Sequence, residues 1–138
     1  MLELLIVLVI AASVVTLVLP QFSRLTTLVG VKSGARELAS ALRSARSEAI
    51  AQHREMAVVL DVQQRTYRAE NSTRVHRLAQ ELDLKLLTAQ TEVSSAHMGA
   101  IRFFADGSST GGRVTLAAIG QRYVVDVDWL TGRVVIHE

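Results

Sequence analysis

The first twenty residues constrain this chain more than any other stretch. Between residues 2 and 19, Glu3 is the only ionisable residue, and the others are aliphatic, alanine or hydroxyl-bearing. As a helix, residues 4–19 would reach roughly 24 Å at about 1.5 Å per residue, somewhat less than a hydrocarbon core of about 30 Å. The stretch therefore predicts a transmembrane helix over residues 1–20.

Two other interpretations of this stretch start from the same composition. A secretory signal peptide could be cleaved near residues 11–13, although no basic residues precede the apolar run. A buried helix of a soluble core would need a polar stripe, and residues 4–12 contain none. The membrane interpretation makes Glu3 the unusual residue, because a charge at mid-bilayer costs about 2.5–3.5 kcal/mol. Glu3 should therefore have a cationic partner.

The overall composition leaves room for one small domain after this stretch. The chain has 138 residues, and 15 basic against 13 acidic residues give a net charge of +2, which is weak support for nucleic-acid binding. With no cysteine, disulfides and thiolate chemistry are excluded. The four histidines have no paired ligand spacing, and no serine lies in a nucleophile motif. We expect no enzyme activity, no metal site and no cofactor.

After Pro20 the apolar residues become periodic. They recur at alternating intervals of three and four, which predicts an amphipathic helix over residues 21–53 that packs on its own domain. A free coiled coil would have larger residues at these positions, and the helix should end near His53 and Arg54. The predicted stripe consists of Leu28, Val31, Ala35, Leu38, Leu42, Ala45 and Ala49.

Residues 54–138 alternate apolar and polar positions with turn residues between the runs. This period of two predicts an antiparallel β domain. Residues 71–80 are polar and ambiguous. The predicted strands are residues 56–61, 65–70, 82–86, 100–104, 113–118, 123–128 and 133–137.

The most turn-rich segment is residues 104–112, Phe-Ala-Asp-Gly-Ser-Ser-Thr-Gly-Gly. Asp106, Gly107, Gly111 and Gly112 predict a tight structural loop with positive φ values. A phosphate-binding loop would need a lysine and a following helix. A calcium loop would need more carboxylates than Asp106 alone.

A second turn is predicted at Gly132, just before Arg133. Asp126 and Asp128 share one face of the preceding strand. Side chains that lie opposite each other on neighbouring strands can form ion pairs. We therefore expect these carboxylates to pair with Arg122 or Arg133.

The opening string, MLELLIVLVI, resembles the N-terminus of type IV pilins and type II secretion pseudopilins. In those proteins a prepilin peptidase removes a short basic leader after a glycine, and the mature chain begins Phe-Thr, two apolar residues, Glu. The resemblance implies that Glu3 is the glutamate used in assembly and that Pro20 bends the helix. It also implies that the leader and the first two mature residues would precede Met1.

Three further motifs resemble the H-type minor pseudopilin family, which includes some minor type IV pilins. They are the Phe-x-x-Asp-Gly-x-x-x-Gly-Gly pattern at residues 103–112, LASALRSARSEAI at residues 38–50, and Leu-Thr-Gly-Arg at residues 130–133. The resemblance implies an α+β, pilin-like fold. A long N-terminal helix would have a membrane half and an amphipathic half, the latter packed on a small antiparallel β-sheet domain over residues 54–138.

The function implied by this resemblance is that of a minor pseudopilin at the tip region of the periplasmic pseudopilus, supporting protein export. The chain would cross the bacterial inner membrane once, with its β domain in the periplasm, and its partners would be the major pseudopilin and other minor pseudopilins. Arg24, Lys32 and Arg36 favour a cytoplasmic location for that side, but the family's basic leader would compete with them.

The alternative is a minor type IV pilin that binds DNA for uptake. Such members carry Gly-Arg-x-Arg near the C-terminus, where this chain reads Gly-Arg-Val-Val at residues 132–135. Aromatic residues, on which single strands stack, make up only 4% of the chain. We therefore expect DNA to be an unlikely partner.

Overall fold

The computed structural model describes residues 1–15 and 29–138, so the predicted kink at Pro20 lies outside the described residues. The described residues form one long helix, α1 (Leu2–Gln52), one short 3-10 turn (Gln90–Glu92) and eight strands. The strands are β1 (Met56–Asp61), β2 (Thr66–Ala69), β3 (His76–Arg77), β4 (Asp83–Thr88), β5 (Met98–Phe103), β6 (Gly112–Ala118), β7 (Gln121–Val127) and β8 (Val134–His137).

Helix α1 ends next to the boundary expected from the sequence. His53 adopts a left-handed conformation with a φ of 51°. The N–H groups of His53 and Arg54 donate to the carbonyls of Ile50 (3.4 Å) and Ala49 (3.2 Å). These bonds satisfy carbonyls that have no partner within the helix. The chain then enters β1 almost at once.

The amphipathic part of α1 packs on the strands as predicted. The described stripe residues are all nearly or completely buried, and residues of the opposite face are largely exposed. Alanine is frequent in the stripe, and its small side chain lets the helix lie close to the strands. Leu28 lies outside the described residues. The buried stripe consists of Val31, Ala35, Leu38, Leu42, Ala45 and Ala49, joined by Ala39.

The strands form two four-stranded sheets rather than one. Their orders are β3-β2-β1-β5 and β4-β6-β7-β8, and all neighbouring strands are antiparallel. The Thr88 hydroxyl donates to the Ala100 carbonyl at 2.6 Å, which joins β4 to β5 between the sheets. The predicted α+β architecture, a long helix packed on antiparallel strands, is confirmed, but the sequence did not predict the division into two sheets. The bounds of the seven predicted strands agree with the structure to within two residues, and β3 was not predicted.

The core lies between α1 and the two sheets. Phe103 and Ile101 from the first sheet and Leu116 from the second are fully buried there. The ambiguous segment contributes the two-residue strand β3 and the buried Leu78, and Leu82 follows just after it. These two leucines cover α1 at Gly34, where an added Cβ would lie 3.3 Å from Leu78 and 3.4 Å from Leu82. The segment thus closes the core over a helix position that has no side chain.

Candidate functional site

The N-terminal turns of α1 carry an apolar surface that the described fold does not cover. The side chains of residues 1–15 are all exposed, with relative exposures from 53% for Ile6 to 76% for Leu2 among the large apolar residues of α1. The hydroxyl of Ser13 donates to the Val9 carbonyl at 2.8 Å, so this polar group is satisfied within the helix. Of the helical stretches described, none meets the length and hydropathy of a membrane span.

Glu3 lies in the first turn of α1, where the positive end of the helix dipole favours a carboxylate. Its side chain is exposed, and it forms no ion pair with the other described residues. The structure does not bring Glu3 to the predicted loop or to the predicted hairpin turn. Its role in assembly stays a prediction.

The loop of residues 104–112 is held by its own polar groups. The Asp106 carboxylate accepts hydrogen bonds from the hydroxyl (2.6 Å) and the N–H (3.0 Å) of Ser108, and these bonds lower the pKa of Asp106. The Gly107 N–H donates to the Phe104 carbonyl at 2.9 Å. Gly107 and Gly111 have φ values of 88° and 74°, in the region that favours glycine.

The expectation of positive φ values throughout this loop is wrong at Gly112. It is the first residue of β6 and is not among the glycines with positive φ. An added Cβ would lie 3.0 Å from the Ile101 side chain and 3.1 Å from the Leu87 carbonyl oxygen. Gly112 therefore serves the close approach of neighbouring strands rather than a left-handed turn.

The hairpin turn between β7 and β8 is built on Asp128. Its carboxylate accepts hydrogen bonds from the N–H groups of Thr131 (2.9 Å) and Leu130 (2.8 Å), which lower the pKa of Asp128. Gly132, with a φ of 67°, donates its N–H to the Asp128 carbonyl at 2.8 Å. Arg133 follows and is exposed.

The expected partners of Asp126 and Asp128 were wrong. Strand β7 pairs with β6, and the register places Arg113 opposite Asp126. Their side chains form the ion pair, with 2.9 Å between nitrogen and oxygen. The Asp128 carboxylate instead accepts hydrogen bonds from backbone N–H groups of the turn. Strand pairing decided the partner of Asp126, and the alternating pattern does not encode that pairing. The local turn decided the partners of Asp128.

Arg46 joins the predicted loop and the predicted turn. From α1, its Nε donates to the carbonyls of Gly107 (3.0 Å) and Thr131 (3.1 Å). A Cβ on Gly132 would overlap the Gly107 carbonyl oxygen, so the two segments touch at this glycine. The Ser109 N–H also donates to the Trp129 carbonyl at 2.9 Å. We call this meeting point of α1, residues 104–112 and residues 128–133 the Arg46 junction.

Sequence reasoning identified the loop and the turn but missed Arg46. The available signal was its position: it directly follows the stripe residue Ala45, at the border between the buried and the exposed face of α1. An arginine at such a border can bury its stem and extend its guanidinium to neighbouring carbonyls. Nothing local in the sequence identifies those carbonyls.

A second group that the sequence did not predict surrounds Arg102 on β5. Its guanidinium lies 3.0 Å from a Glu92 carboxylate oxygen, 3.1 Å from Glu70 and 3.6 Å from Glu55. The hydrogen bond to Glu92 is the largest of the effects that raise the pKa of Arg102. This cluster ties the turn at residues 90–92 to the strands. Throughout the described ranges, no three His, Asp or Glu side chains are placed to share a metal ion.

The chain is similar to known proteins over most of its length. The family model described as Type II transport protein GspH matches residues 34–131. Type II secretion system protein H of Xanthomonas campestris pv. campestris is 38% identical over 104 residues, which cover 75% of this chain and 61% of that protein. The chain therefore spans about three fifths of the length of this curated relative.

Two solved structures share the fold. The type IV minor pilin FimU of Pseudomonas aeruginosa has a TM-score of 0.62 at 20% identity, covering 82% of this chain and 92% of its own. The minor pseudopilin EpsH from the Type 2 Secretion System of Vibrio cholerae has a TM-score of 0.61 at 17% identity, covering 78% of this chain and 95% of its own. At these identities the likeness concerns the fold alone.

Proposed function

The chain belongs to the GspH family of type II transport proteins, and on that premise we propose that it is a minor pseudopilin of a type II secretion system. Its place would be the tip region of the periplasmic pseudopilus, where it supports protein export. The relative of 38% identity carries the name of a type II secretion protein, which supports secretion over DNA uptake. The fold shared with a minor pilin does not separate the two.

The observation that carries the proposal is the division of α1 into two chemically different parts. From Val31 to Ala49 the apolar stripe is buried by the protein's own strands. In residues 1–15 the apolar surface faces outward on all sides. Such a surface is stable only in lipid or against other apolar helices. This supports insertion in the bacterial inner membrane as a single span, with the β domain in the periplasm.

Glu3 fits a role in assembly rather than in anchoring. A carboxylate lowers the membrane affinity of the segment, and it has no cation among the described residues to offset that cost. In a filament of parallel helices, the terminal amine of an adjacent subunit is the nearest cation. The partners would be the major pseudopilin and other minor pseudopilins, and a prepilin peptidase would process the chain.

Substitution of Glu3 tests this function directly. Glu3→Ala and Glu3→Gln should both reduce co-purification with partner pseudopilins from membranes, and secretion should drop with it, because both remove the charge. Membrane insertion should persist, since each change makes the segment less polar. Val7→Ala is the matched control, because it alters an exposed apolar residue of the same segment without changing charge.

Two results with the Glu3 variants would contradict the proposal. A normal partner complex together with normal secretion in both Glu3 variants would show that the carboxylate has no role in assembly. Loss of the β domain fold in these variants would also count against it, because Glu3 makes no ion pair with that domain in the described structure.

A further inference from the structure

Three arginines line one cleft between α1 and the β7–β8 hairpin. Arg43 and Arg46 come from the helix, and Arg133 comes from the residue after the turn. The cleft has a volume of about 490 Å³, and its lining contains no carboxylate among the described residues. We call it the arginine cleft. Its remaining lining residues are Ser47, Thr131, Gly132 and Val134.

The positive charges of the arginine cleft are not neutralised, and two of the three guanidinium groups are held in place by backbone carbonyls. One guanidinium nitrogen of Arg43 donates to the Val134 carbonyl at 3.0 Å, and Nε of Arg46 is used by the two carbonyls of the Arg46 junction. These acceptors carry no net charge. In the part of the chain that the structure describes, none of the three arginines takes part in an ion pair.

Asp128 is the nearby carboxylate that could have compensated Arg133. Its pKa is lowered chiefly by the backbone hydrogen bonds of the turn, and the charge of Arg133 is the smallest of the causes. The oxygen that accepts these bonds points into the turn rather than into the cleft lining. The guanidinium groups therefore keep donors for an anion from outside.

We propose that the arginine cleft binds an acidic segment, carrying at least one Asp or Glu, of a neighbouring subunit in the pseudopilus. Planar guanidinium groups match carboxylates with two parallel hydrogen bonds, and such bonds are shorter and stronger than neutral ones. Arg43 and Arg46, which backbone carbonyls already hold, lose little further freedom on binding. The nature of the partner rests on the proposed function, whereas the acidic chemistry rests on the cleft itself.

The surroundings of the cleft favour a protein carboxylate over nucleic acid. Arg133 also borders a second cleft, which contains Trp129 together with Asp126 and Asp128. A phosphate backbone that ran from the arginines towards this tryptophan would pass both carboxylates and be repelled. A side-chain carboxylate needs only the three arginines.

Peptide binding tests the proposal on the full chain in neutral detergent micelles. The probe is fluorescein-labelled hexaglutamate, and the readout is fluorescence anisotropy at low ionic strength. Arg43→Glu and Arg133→Glu should weaken binding at least tenfold. Arg133→Gln should weaken hexaglutamate binding less than Arg133→Glu does. It replaces Arg133→Glu in the test if the reversed charge disturbs folding. Arg77→Glu is the matched control, because Arg77 is an exposed arginine on β3 outside the cleft, and it should change the affinity less than twofold.

Several results would overturn the proposal. Failure of hexaglutamate to bind would be one such result. Another would be that Arg77→Glu and Arg133→Glu weaken hexaglutamate binding equally. Tighter binding of a labelled twelve-nucleotide single strand, lost in the same cleft variants, would assign the cleft to nucleic acid instead.

A photo-crosslinking residue at Ser47, used in membranes, identifies the partner. We expect a cross-link to an acidic segment of another subunit, and its absence would overturn the choice of partner.

The Glu3 variants separate this proposal from the assembly function. Glu3→Ala should leave hexaglutamate affinity unchanged while reducing the partner complex, so either proposal can fail alone.

Discussion

Gly132 lies where the β7–β8 turn touches the loop of residues 104–112. Its φ of 67° disfavours a side chain and the close approach of the Gly107 carbonyl excludes one, and a Cβ would also lie 2.9 Å from Nε of Arg46. Gly120 has a similar φ of 74°, but a Cβ there would meet nothing within 4 Å. Substitution of Gly120 therefore measures the cost of the backbone conformation alone, whereas substitution of Gly132 adds the cost of disturbing its close contacts.

We expect Gly120→Ala to lower the free energy of unfolding by about 1–2 kcal/mol, the usual cost of a left-handed conformation for a residue with a Cβ. Gly132→Ala should cost clearly more, about 3–5 kcal/mol, because the Arg46 junction must also open. Urea unfolding in neutral micelles, followed by the fluorescence of Trp129, the single tryptophan, measures both. Equal costs for the two variants would show that the junction contributes nothing to stability.

Helix α1 depends on small residues at the positions that face the sheets. Ala35, Ala39 and Ala49 are fully buried, so the space available there is that of one methyl group. Close packing of this kind leaves no volume for a larger side chain without movement of the helix or the strands. The same helix carries Ala51 at an exposed position near its end.

Ala35→Leu should destabilise the domain by about 1–3 kcal/mol, because it overfills the interface between α1 and the sheets. Ala51→Leu makes the same substitution on solvent-exposed helix surface and should change stability by less than about 0.5 kcal/mol. The shift of the thermal unfolding midpoint compares the two. If Ala35→Leu were as stable as the parent, the alanine stripe would not be closely packed.

At the scale of the whole molecule, the buried core and the exposed apolar surface occupy different parts of the chain. Every buried residue of the described ranges lies between Val31 and Val134, whereas residues 1–15 are exposed throughout. The domain therefore has what it needs to fold without the N-terminal turns, and those turns have no role in its core. We therefore expect folding of the domain to be independent of residues 1–15.

A fragment of residues 29–138 should be a soluble, folded monomer, because α1 and both sheets bury one another. A fragment that begins at Glu55 lacks the helix and should not fold, since the stripe residues that cover both sheets are removed. Gel filtration and the dispersion of backbone amide resonances distinguish the two fragments. Aggregation of residues 29–138 would show that the N-terminal segment is needed for folding.

The features that the sequence alone determined are those with a local cause. The spacing of three and four residues from Val31 to Ala49 specifies which face of α1 is buried, because a helix repeats every 3.6 residues. Alternation located every strand except β3 to within two residues, since successive side chains of a strand point to opposite faces. The motif at residues 103–112 indicated the family whose model matches residues 34–131.

The features that only the tertiary structure decided depend on which segments become neighbours. Alternation does not state that β5 pairs with β1 and β6 with β4, so the division into two sheets was not predictable from it. The choice of Arg113 as the partner of Asp126 follows from that pairing. Arg46 meets carbonyls 61 and 85 residues away in the chain. The arginine cleft, which also depends on this contact, exists only because packing the hairpin on α1 brings Arg43, Arg46 and Arg133 together.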